Sequence, residues 1–463
     1  MGHTSTGNHV PTADMKDEAP TGPRLGIALG LAAILLVYCT LAVLQSYATR
    51  LQWGPDEPAH IIYVQSLALD GRLPALARST ADDAYISGAA RTHQAQHPPL
   101  YYAAAAVLWR AFANRFDATV RYVDPSSGET LTFTVPGPVR PVRLFSVFLG
   151  ALTLLFAWAT ARMVFPQAPA VCLAGTALAA FTPMFTYVNS VINNDALLGV
   201  AFAGTAWQWA RIMRFGAAPR DVLVLGLVLG LAMNVKETAL SLVLLSGVVL
   251  AVEPQGGPWR RRLARIGVVL ALVAVVGGWW FLRKSILYGS PFVYPFHAPL
   301  LELPAEQRTL LLKALPARIF LFSFIPVDAI TSHARVDLLL CFFGGLSVLS
   351  LGGLLLLCLR RKRLQLPAAE VAALLLWAGA ALLVLAGLWW NLLTVDWRMG
   401  TSGGRLLLCT LPLLSLAAAR GLSALFGDGR AAKLGLAAAV LSVLATNLYA
   451  LWATAAGYGA LGF

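Results

Sequence analysis

Apolar residues occur along this chain in long, uninterrupted runs. The runs are about 20 residues long, recur from Leu25 to Trp452, and match a hydrocarbon layer about 30 Å thick. The pattern therefore predicts an all-α polytopic membrane protein. We place about eleven transmembrane helices at residues 25–47, 139–164, 168–188, 191–213, 221–238, 239–253, 263–282, 336–359, 367–390, 404–420 and 431–453.

Charge sets the orientation of these helices. Only 12% of residues are charged, against roughly 25% in soluble domains, and the net charge is +13. The Lys and Arg residues are scattered at the ends of the apolar runs, which argues against a nucleic-acid-binding stripe. The clusters 260–262 and 360–363 fall on one side of the arrangement, and the positive-inside rule makes that side cytoplasmic.

The remaining segments follow from this orientation. Residues 1–24 are polar and predict a disordered cytoplasmic tail, and 25–463 form one transmembrane domain. The first apolar run lacks a convincing cleavage site, so we expect it to remain as a span. Residues 48–138 and 283–335 become long extracytoplasmic loops, and the second contains a helical stretch near 309–324. All five cysteines lie in apolar runs without metal-ligand spacing, which predicts neither a disulfide nor a zinc site.

The first long loop contains two further predicted elements. Residues 98–113 are apolar enough to span a membrane, but counting them would place the later Arg clusters outside. We therefore predict a helix lying in the membrane interface, with Tyr101, Tyr102 and Trp109 at headgroup level. Two alternating segments within 119–135 flank Asp124-Pro125-Ser126-Ser127-Gly128, a pattern that predicts a hairpin.

An acidic pair follows the first span in the segment Trp53-Gly54-Pro55-Asp56-Glu57-Pro58-Ala59-His60. Two acidic residues before a helix also complement its N-terminal dipole, so simple capping is one interpretation. In the second interpretation, one carboxylate is a general base that removes a proton from the hydroxyl group of an acceptor substrate. The neighbouring carboxylate supports this base or binds a divalent cation. We take Asp56 and Glu57 as the candidate catalytic residues and as the candidate ligands of any such cation.

Other polar residues at outer helix ends are candidates for binding substrate. Asn194 resembles a helix cap, but Asp195 lies at the edge of an apolar run, where ionisable residues are usually paired or functional. His97, in His97-Pro98-Pro99-Leu100, suits a substrate contact and equally an interfacial histidine. The candidate substrate-binding residues are His60, His97, Tyr101, Asn194 and Asp195.

Four cations also lie at outer helix ends, opposite to the preference of the charge rule. They are Arg140 and Arg143 at the start of the second span, Lys236 between the fifth and sixth spans, and Arg405 at the start of the tenth. Guanidinium groups match phosphate oxygens, so an anionic lipid phosphate is a natural partner. Snorkelling to headgroups is the alternative for Arg140 and Arg143, and pairing with Glu237 is the alternative for Lys236.

The order of these motifs resembles the GT-C superfamily of polyprenyl-phosphate-sugar glycosyltransferases, especially its protein O-mannosyltransferase and aminoarabinose transferase branch. Asp56-Glu57, His97-Pro98-Pro99-Leu100 and Arg143-Leu144-Phe145-Ser146 carry the resemblance. Asn193-Asn194-Asp195-Ala196-Leu197 and Gly404-Arg405 narrow it to an uncharacterised bacterial membrane family, domain of unknown function 2142. The chain departs from the mannosyltransferase pattern at Tyr101-Tyr102.

The resemblance implies inverting sugar transfer from a polyprenyl-phosphate donor to a hydroxyl of a protein, lipid or cell-wall glycan, on the extracytoplasmic side of a bacterial inner membrane. Asp56 would act as the base, with Glu57 supporting it, and the cations would bind donor phosphate. The alternative is a transporter or lipid flippase of cell-envelope precursors. It predicts charges near mid-membrane and internal repeats, and the sequence has neither pattern.

Overall fold

The computed structural model describes residues 21–51, 53–113, 118–123, 130–135, 138–326, 336–364, 366–397, 403–427 and 429–457. Most of the predicted tail, residues 1–20, lies outside these ranges, and residues 21–24 form the first turn of a helix. The α-helices are Thr21–Ala48 (α1), Glu57–Gln65 (α2), Leu100–Phe112 (α3), Val139–Val164 (α4), Pro169–Phe181 (α5), Pro183–Val188 (α6), Asp195–Phe215 (α7), Pro219–Met233 (α8), Leu240–Val252 (α9), Trp259–Tyr288 (α10), Ala305–Phe322 (α11), Val336–Leu364 (α12), Ala368–Thr394 (α13), Leu411–Phe426 (α14) and Arg430–Gly457 (α15).

These helices confirm the all-α, multi-pass membrane fold. Within the described residues, six helices are long and apolar enough to cross a membrane, namely α1, α4, α10, α12, α13 and α15, and shorter apolar helices accompany them. The count of about eleven spans stays a prediction.

Two predicted spans are interrupted. Thr182 is extended before Pro183, which separates α5 from α6, and a 3₁₀ segment at Gly403–Cys409 precedes α14.

The first long loop contains the four β-strands of the described residues. Strands Ala118–Val123 (β3) and Thr130–Val135 (β4) pair antiparallel, with Ala118 opposite Val135. The predicted hairpin is thus confirmed, although its proposed turn at 124–128 lies outside the described residues. Earlier in the loop, Ala75–Leu76 (β1) and Arg91–Thr92 (β2) form a short parallel pair that no sequence pattern predicted.

Helix α3 corrects one expectation for this loop. The helix forms where it was predicted, but its aromatic rings are buried in the protein instead of facing lipid headgroups. Tyr101 and Tyr102 are fully buried and Trp109 is 2% exposed, because they pack against α2, α4 and the segment before α7. The apolar face of α3 therefore covers protein, and the membrane position of its outer face stays a prediction.

Close helix packing builds the membrane domain around one large apolar core. Helix α4 packs along α7, α8 along α10, and α12 along α14. Glycine allows the closest of these approaches, because a Cβ at Gly353 of α12 would overlap the backbone of Gly421 in α14. Such small-residue contacts are typical of helix pairs in membranes.

We predict that Gly353→Ala lowers the stability of the folded protein by about 1–3 kcal/mol, because the added methyl group forces α12 away from α14. Gly352→Ala is the matched control, since a Cβ there would have no neighbour within 4 Å. Thermal unfolding of the two variants in detergent checks the prediction. Equal midpoints would show that α12 and α14 are not packed at this contact.

Candidate functional site

A cavity of about 980 Å³ lies between the first loop and the ends of several helices that are nearest to that loop. Its polar wall is formed by the first loop, the start of α7, the turn after α8 and Arg405. Its apolar wall is formed by side chains of α9 and α13, which include Leu240, Leu244, Leu383 and Leu388. Leu244 is 56% exposed, so the apolar wall reaches the outer surface of the helical domain.

Asp56 reaches this cavity from a strained turn. Its φ of 55° is the only positive φ of a non-glycine residue among the described residues, and such strain often accompanies functional sites. Gly54 permits the turn, because a Cβ there would lie 2.8 Å from Val191. The Asp56 side chain is 35% exposed and accepts a hydrogen bond from Arg405 Nη2.

The charges around Asp56 keep it ionised. Burial opposes the charged form, but Arg405 and the nearby His93 outweigh burial and hold the pKa of Asp56 well below its ordinary value. In this arrangement Asp56 is a carboxylate that binds cations firmly. It is therefore a weak proton acceptor for as long as Arg405 remains its partner.

Glu57 points away from the cavity into a closed ion pair with Arg143. Both side chains are 0% exposed, and Arg143 Nη2 lies 2.5 Å from Glu57 Oε2. All five N–H groups of Arg143 are used, two by Glu57 and three by the carbonyl oxygens of Ser46, Thr49 and Arg50. Glu57 also accepts hydrogen bonds from the backbone N–H groups of Gly54 and Ile192. This pair therefore fastens the Asp56 turn to α1, α4 and the segment before α7.

A second ion pair lines the cavity beside Asp56. Lys236 Nζ lies 2.5 Å from Asp195 Oδ1, and their side chains are 11% and 6% exposed. Asp195 begins α7, where the helix dipole favours a negative charge. The neighbouring Asn194 also lines the cavity, and its Oδ1 has no hydrogen-bond partner among the described residues.

Two histidines on the cavity wall are neutral. Burial lowers the pKa of His60 to about 3, despite the opposing influence of Asp56 and Asp195, and His60 Nδ1 lies 2.9 Å from the hydroxyl of Tyr102. Burial and the positive charge of Lys236 also lower the pKa of His97. The Nδ1 atom of His97 has no partner in the described part of the chain. Neutral imidazoles suit hydrogen bonding to a substrate better than binding of its charge.

A third histidine, His93, is charged. Its Nδ1 lies 2.5 Å from Asp83 Oδ2, and its Nε2 lies 3.9 Å from Asp56 Oδ1. Burial acts against the charged imidazole, but the neighbouring Asp56 and Asp83 carboxylates outweigh burial and raise the pKa of His93 to about 9. Neither His93 nor Asp83 is among the site residues predicted from the sequence. Neither residue belongs to a recognisable motif, so only their contact in the folded structure indicates a role at the site.

The cavity brings together most of the predicted site residues. Those that line it are Asp56, His60, His97, Asn194, Asp195, Lys236 and Arg405. The remaining predicted site residues lie elsewhere. Glu57 and Arg143 are sealed in their ion pair, and Tyr101 is buried with its hydroxyl 2.9 Å from Ser146 Oγ. Arg140 stacks on Tyr47, with its guanidinium carbon 4.0 Å from the ring centre.

The geometry offers little support for the expected cation site. Within the described residues, no group of three or more His, Cys, Asp or Glu side chains is arranged to hold a metal ion. Both oxygens of Glu57 already accept hydrogen bonds. Of the expected carboxylate pair, only Asp56 faces the cavity, and a divalent cation stays a prediction.

Known proteins resemble this chain in sequence pattern and in fold. A family model described as dolichyl-phosphate-mannose-protein mannosyltransferase matches residues 134–280, a range that contains Asp195 and Lys236. Among solved structures, ArnT from Cupriavidus metallidurans bound to undecaprenyl phosphate has a TM-score of 0.51 and 13% identity, over 95% of this chain and 76% of that chain. No curated protein matches this chain in sequence.

Two further structures are similar at lower scores. The S. cerevisiae protein O-mannosyltransferase Pmt1-Pmt2 complex bound to the sugar donor has a TM-score of 0.39 and 18% identity, over 60% of this chain and 36% of that chain. The Archaeoglobus fulgidus oligosaccharyltransferase in complex with Zn and sulfate has a TM-score of 0.47 and 13% identity, over 93% of this chain and 53% of that chain. This chain thus spans little more than a third of the yeast chain and about half of the archaeal one.

We predict that Arg143→Ala destabilises the protein by about 3–5 kcal/mol, because it leaves the Glu57 carboxylate buried without its cation. Arg140→Ala, one turn earlier on α4, removes a half-buried cation that stacks on Tyr47 and should cost far less. Unfolding midpoints of the two variants in the same detergent provide the measurement. A larger loss for Arg140→Ala would contradict the role assigned to the buried pair.

We also predict that His93 titrates near pH 9 in the folded protein. Its anionic neighbours stabilise the imidazolium, so a proton is lost only as the pH rises through that value. Histidine-labelled protein observed by NMR provides the titration curve, and His93→Gln identifies the signal. Asp83→Asn should move the curve to lower pH. An unchanged curve in Asp83→Asn would contradict the proposed pairing.

Proposed function

We propose that this chain is a member of the GT-C superfamily of polyprenyl-phosphate-sugar glycosyltransferases and transfers a sugar from a lipid-phosphate donor to an acceptor hydroxyl. The reaction would take place in the cavity beside Asp56, on the extracytoplasmic side of a bacterial inner membrane. The acceptor would be a hydroxyl of a protein, a lipid or a cell-wall glycan.

One observation carries this proposal: the cavity is charged on one wall and apolar on the other. Asp56 with Arg405, and Asp195 with Lys236, occupy the charged wall. Leucines of α9 and α13 occupy the apolar wall, which extends to exposed Leu244 and Trp390. A polyprenyl-phosphate sugar has the same division, because its tail is apolar and its phosphate and sugar are polar. The tail would leave between α9 and α13.

The chemistry we propose is a direct displacement at the anomeric carbon. The acceptor oxygen forms the new bond to that carbon, and its proton passes to the Asp56 carboxylate. The bond between the anomeric carbon and the phosphate oxygen breaks, and its electron pair remains on the phosphate. Attack opposite the departing phosphate inverts the configuration of the carbon. Arg405 and Lys236 would stabilise the charge that develops on the leaving phosphate.

This mechanism requires the ion pairs of the resting site to exchange partners. A donor phosphate that binds Arg405 and Lys236 draws these cations away from Asp56 and Asp195. Removal of a positive charge from the neighbourhood of Asp56 raises its pKa, since the ionised carboxylate then loses its main stabilising partner. Asp56 would therefore become a better proton acceptor when the donor is bound. Donor binding and activation of the base are coupled through Arg405.

The buried pair takes a different part in this proposal from the one expected. Glu57 and Arg143 offer no free donor or acceptor to a substrate, because each is saturated by protein groups. We therefore assign donor-phosphate binding to Arg405 and Lys236, and we give Glu57 and Arg143 a supporting role. They hold the turn that presents Asp56.

We predict that Asp56→Asn lowers kcat about 10²- to 10⁴-fold, the usual contribution of a general base. Lys236→Gln should lower kcat/KM for the donor roughly 10- to 100-fold, because a charged hydrogen bond is lost. Transfer from a mixture of radiolabelled polyprenyl-phosphate sugars in proteoliposomes provides the measurement, at equal amounts of folded protein.

Asp82→Asn and Lys313→Gln are the matched controls, since both side chains are exposed and lie outside the cavity. Full activity of Asp56→Asn would reject this residue as the base. A wild-type protein that neither transfers sugar nor hydrolyses any donor would reject the glycosyltransferase function, and translocation of the labelled lipids would then favour a flippase.

A further inference from the structure

His93 and Asp83 form a tight pair beside Asp56, although the proposed displacement assigns them no role. Both Asp83 oxygens are engaged: Oδ1 accepts the backbone N–H of His93 at 2.7 Å, and Oδ2 lies 2.5 Å from His93 Nδ1. The two side chains are only 7% and 11% exposed. This double contact fixes the position of the imidazole ring and its tilt. An exposed surface pair would leave both free to vary.

The local backbone explains why the pair forms. Ala84, directly after Asp83, and Arg91, two residues before His93, exchange both backbone hydrogen bonds at 3.0 and 2.9 Å. Thr92 then donates its hydroxyl hydrogen to the carbonyl oxygen of Ala59 at 3.0 Å, which ties this segment to α2. Asp56 precedes α2 directly. His93 and Asp56 are therefore held against the same short helix.

The pairing also determines which nitrogen faces Asp56. Nδ1 carries the hydrogen that Asp83 accepts, and this leaves Nε2 directed towards Asp56 Oδ1 at 3.9 Å. That distance is longer than a hydrogen bond but short for a charge interaction. Phe296 packs against the imidazole, with ring centres 5.4 Å apart.

We propose that Asp83 and His93 act as a positioning pair, which holds Asp56 in place when Arg405 turns to the donor phosphate. The inference rests on the proposed function, because it assigns the pair to the same site. In the resting site Asp56 has two cationic neighbours, Arg405 and His93. Once Arg405 binds phosphate, His93 is the neighbour that remains within reach, and Asp83 keeps it there.

The strained turn makes such a support necessary. Asp56 sits at a φ of 55°, and its side chain is 35% exposed and therefore only partly enclosed by protein. A carboxylate that loses its cation could rotate towards solvent, and a displacement of about 1 Å can cost 10²-fold in rate. The pair thus acts on the chemical step, and donor binding is left to Arg405 and Lys236.

The test compares Asp83→Asn, His93→Gln and the double variant in the proteoliposome transfer assay. We expect each to lower kcat about 10- to 100-fold with little change in the KM for the donor. The double variant should be no worse than the His93→Gln variant, because Asp83 acts only through His93. Asp82→Asn is the matched control, since Asp82 is exposed and does not line the cavity.

The outcomes separate this inference from the proposed function. If the wild-type protein transfers sugar and Asp83→Asn has the same kcat, the positioning pair is overturned and the proposed function is not. A raised KM without loss of kcat, or losses that add in the double variant, would also overturn it. A wild-type protein without any transfer would overturn both. If His93→Gln does not fold, the kcat of Asp83→Asn alone tests the positioning pair, because Asn preserves the shape of the Asp side chain.

Discussion

The buried ion pair between Glu57 and Arg143 is the interaction on which the site depends. Two charges removed from water are costly, and they are tolerated only when every donor and acceptor finds a partner. Here five N–H groups of Arg143 and both oxygens of Glu57 are satisfied. The groups that satisfy them come from α1, α2, α4 and the segment before α7. One pair thus fixes the relative positions of four parts of the chain around the Asp56 turn.

Asp56 and Glu57 are adjacent in sequence, yet the structure gives them opposite surroundings. Glu57 begins α2 and points into the protein. Asp56, in a left-handed conformation one residue earlier, points into the cavity. The ion pair between Glu57 and Arg143 is closed to solvent and stabilises the fold. The pair between Asp56 and Arg405 is partly exposed, and an anionic ligand can compete for its cation, so it suits a site whose charges must rearrange.

The same contrast extends to the histidines around the cavity. His60 and His97 are neutral because burial disfavours their charged forms, whereas His93 is charged because two carboxylates flank it. Residues of one type, within one loop, thereby supply neutral hydrogen-bonding groups and a fixed cation. An apolar wall on the opposite side completes a cavity that is suited to a lipid with a polar head.

The sequence by itself determined the membrane fold, because an apolar run long enough for a bilayer is a local property of the chain. It also made Asp56, Asp195, Lys236 and Arg405 candidate site residues, since charges at the ends of apolar runs are conspicuous. Tertiary structure decided which of the candidates share a cavity. Arg143 has the same sequence signal as Arg405, but its partner is the buried Glu57, 86 residues earlier. No sequence pattern indicated Asp83 and His93, because their pairing depends on a loop conformation that only the folded chain defines.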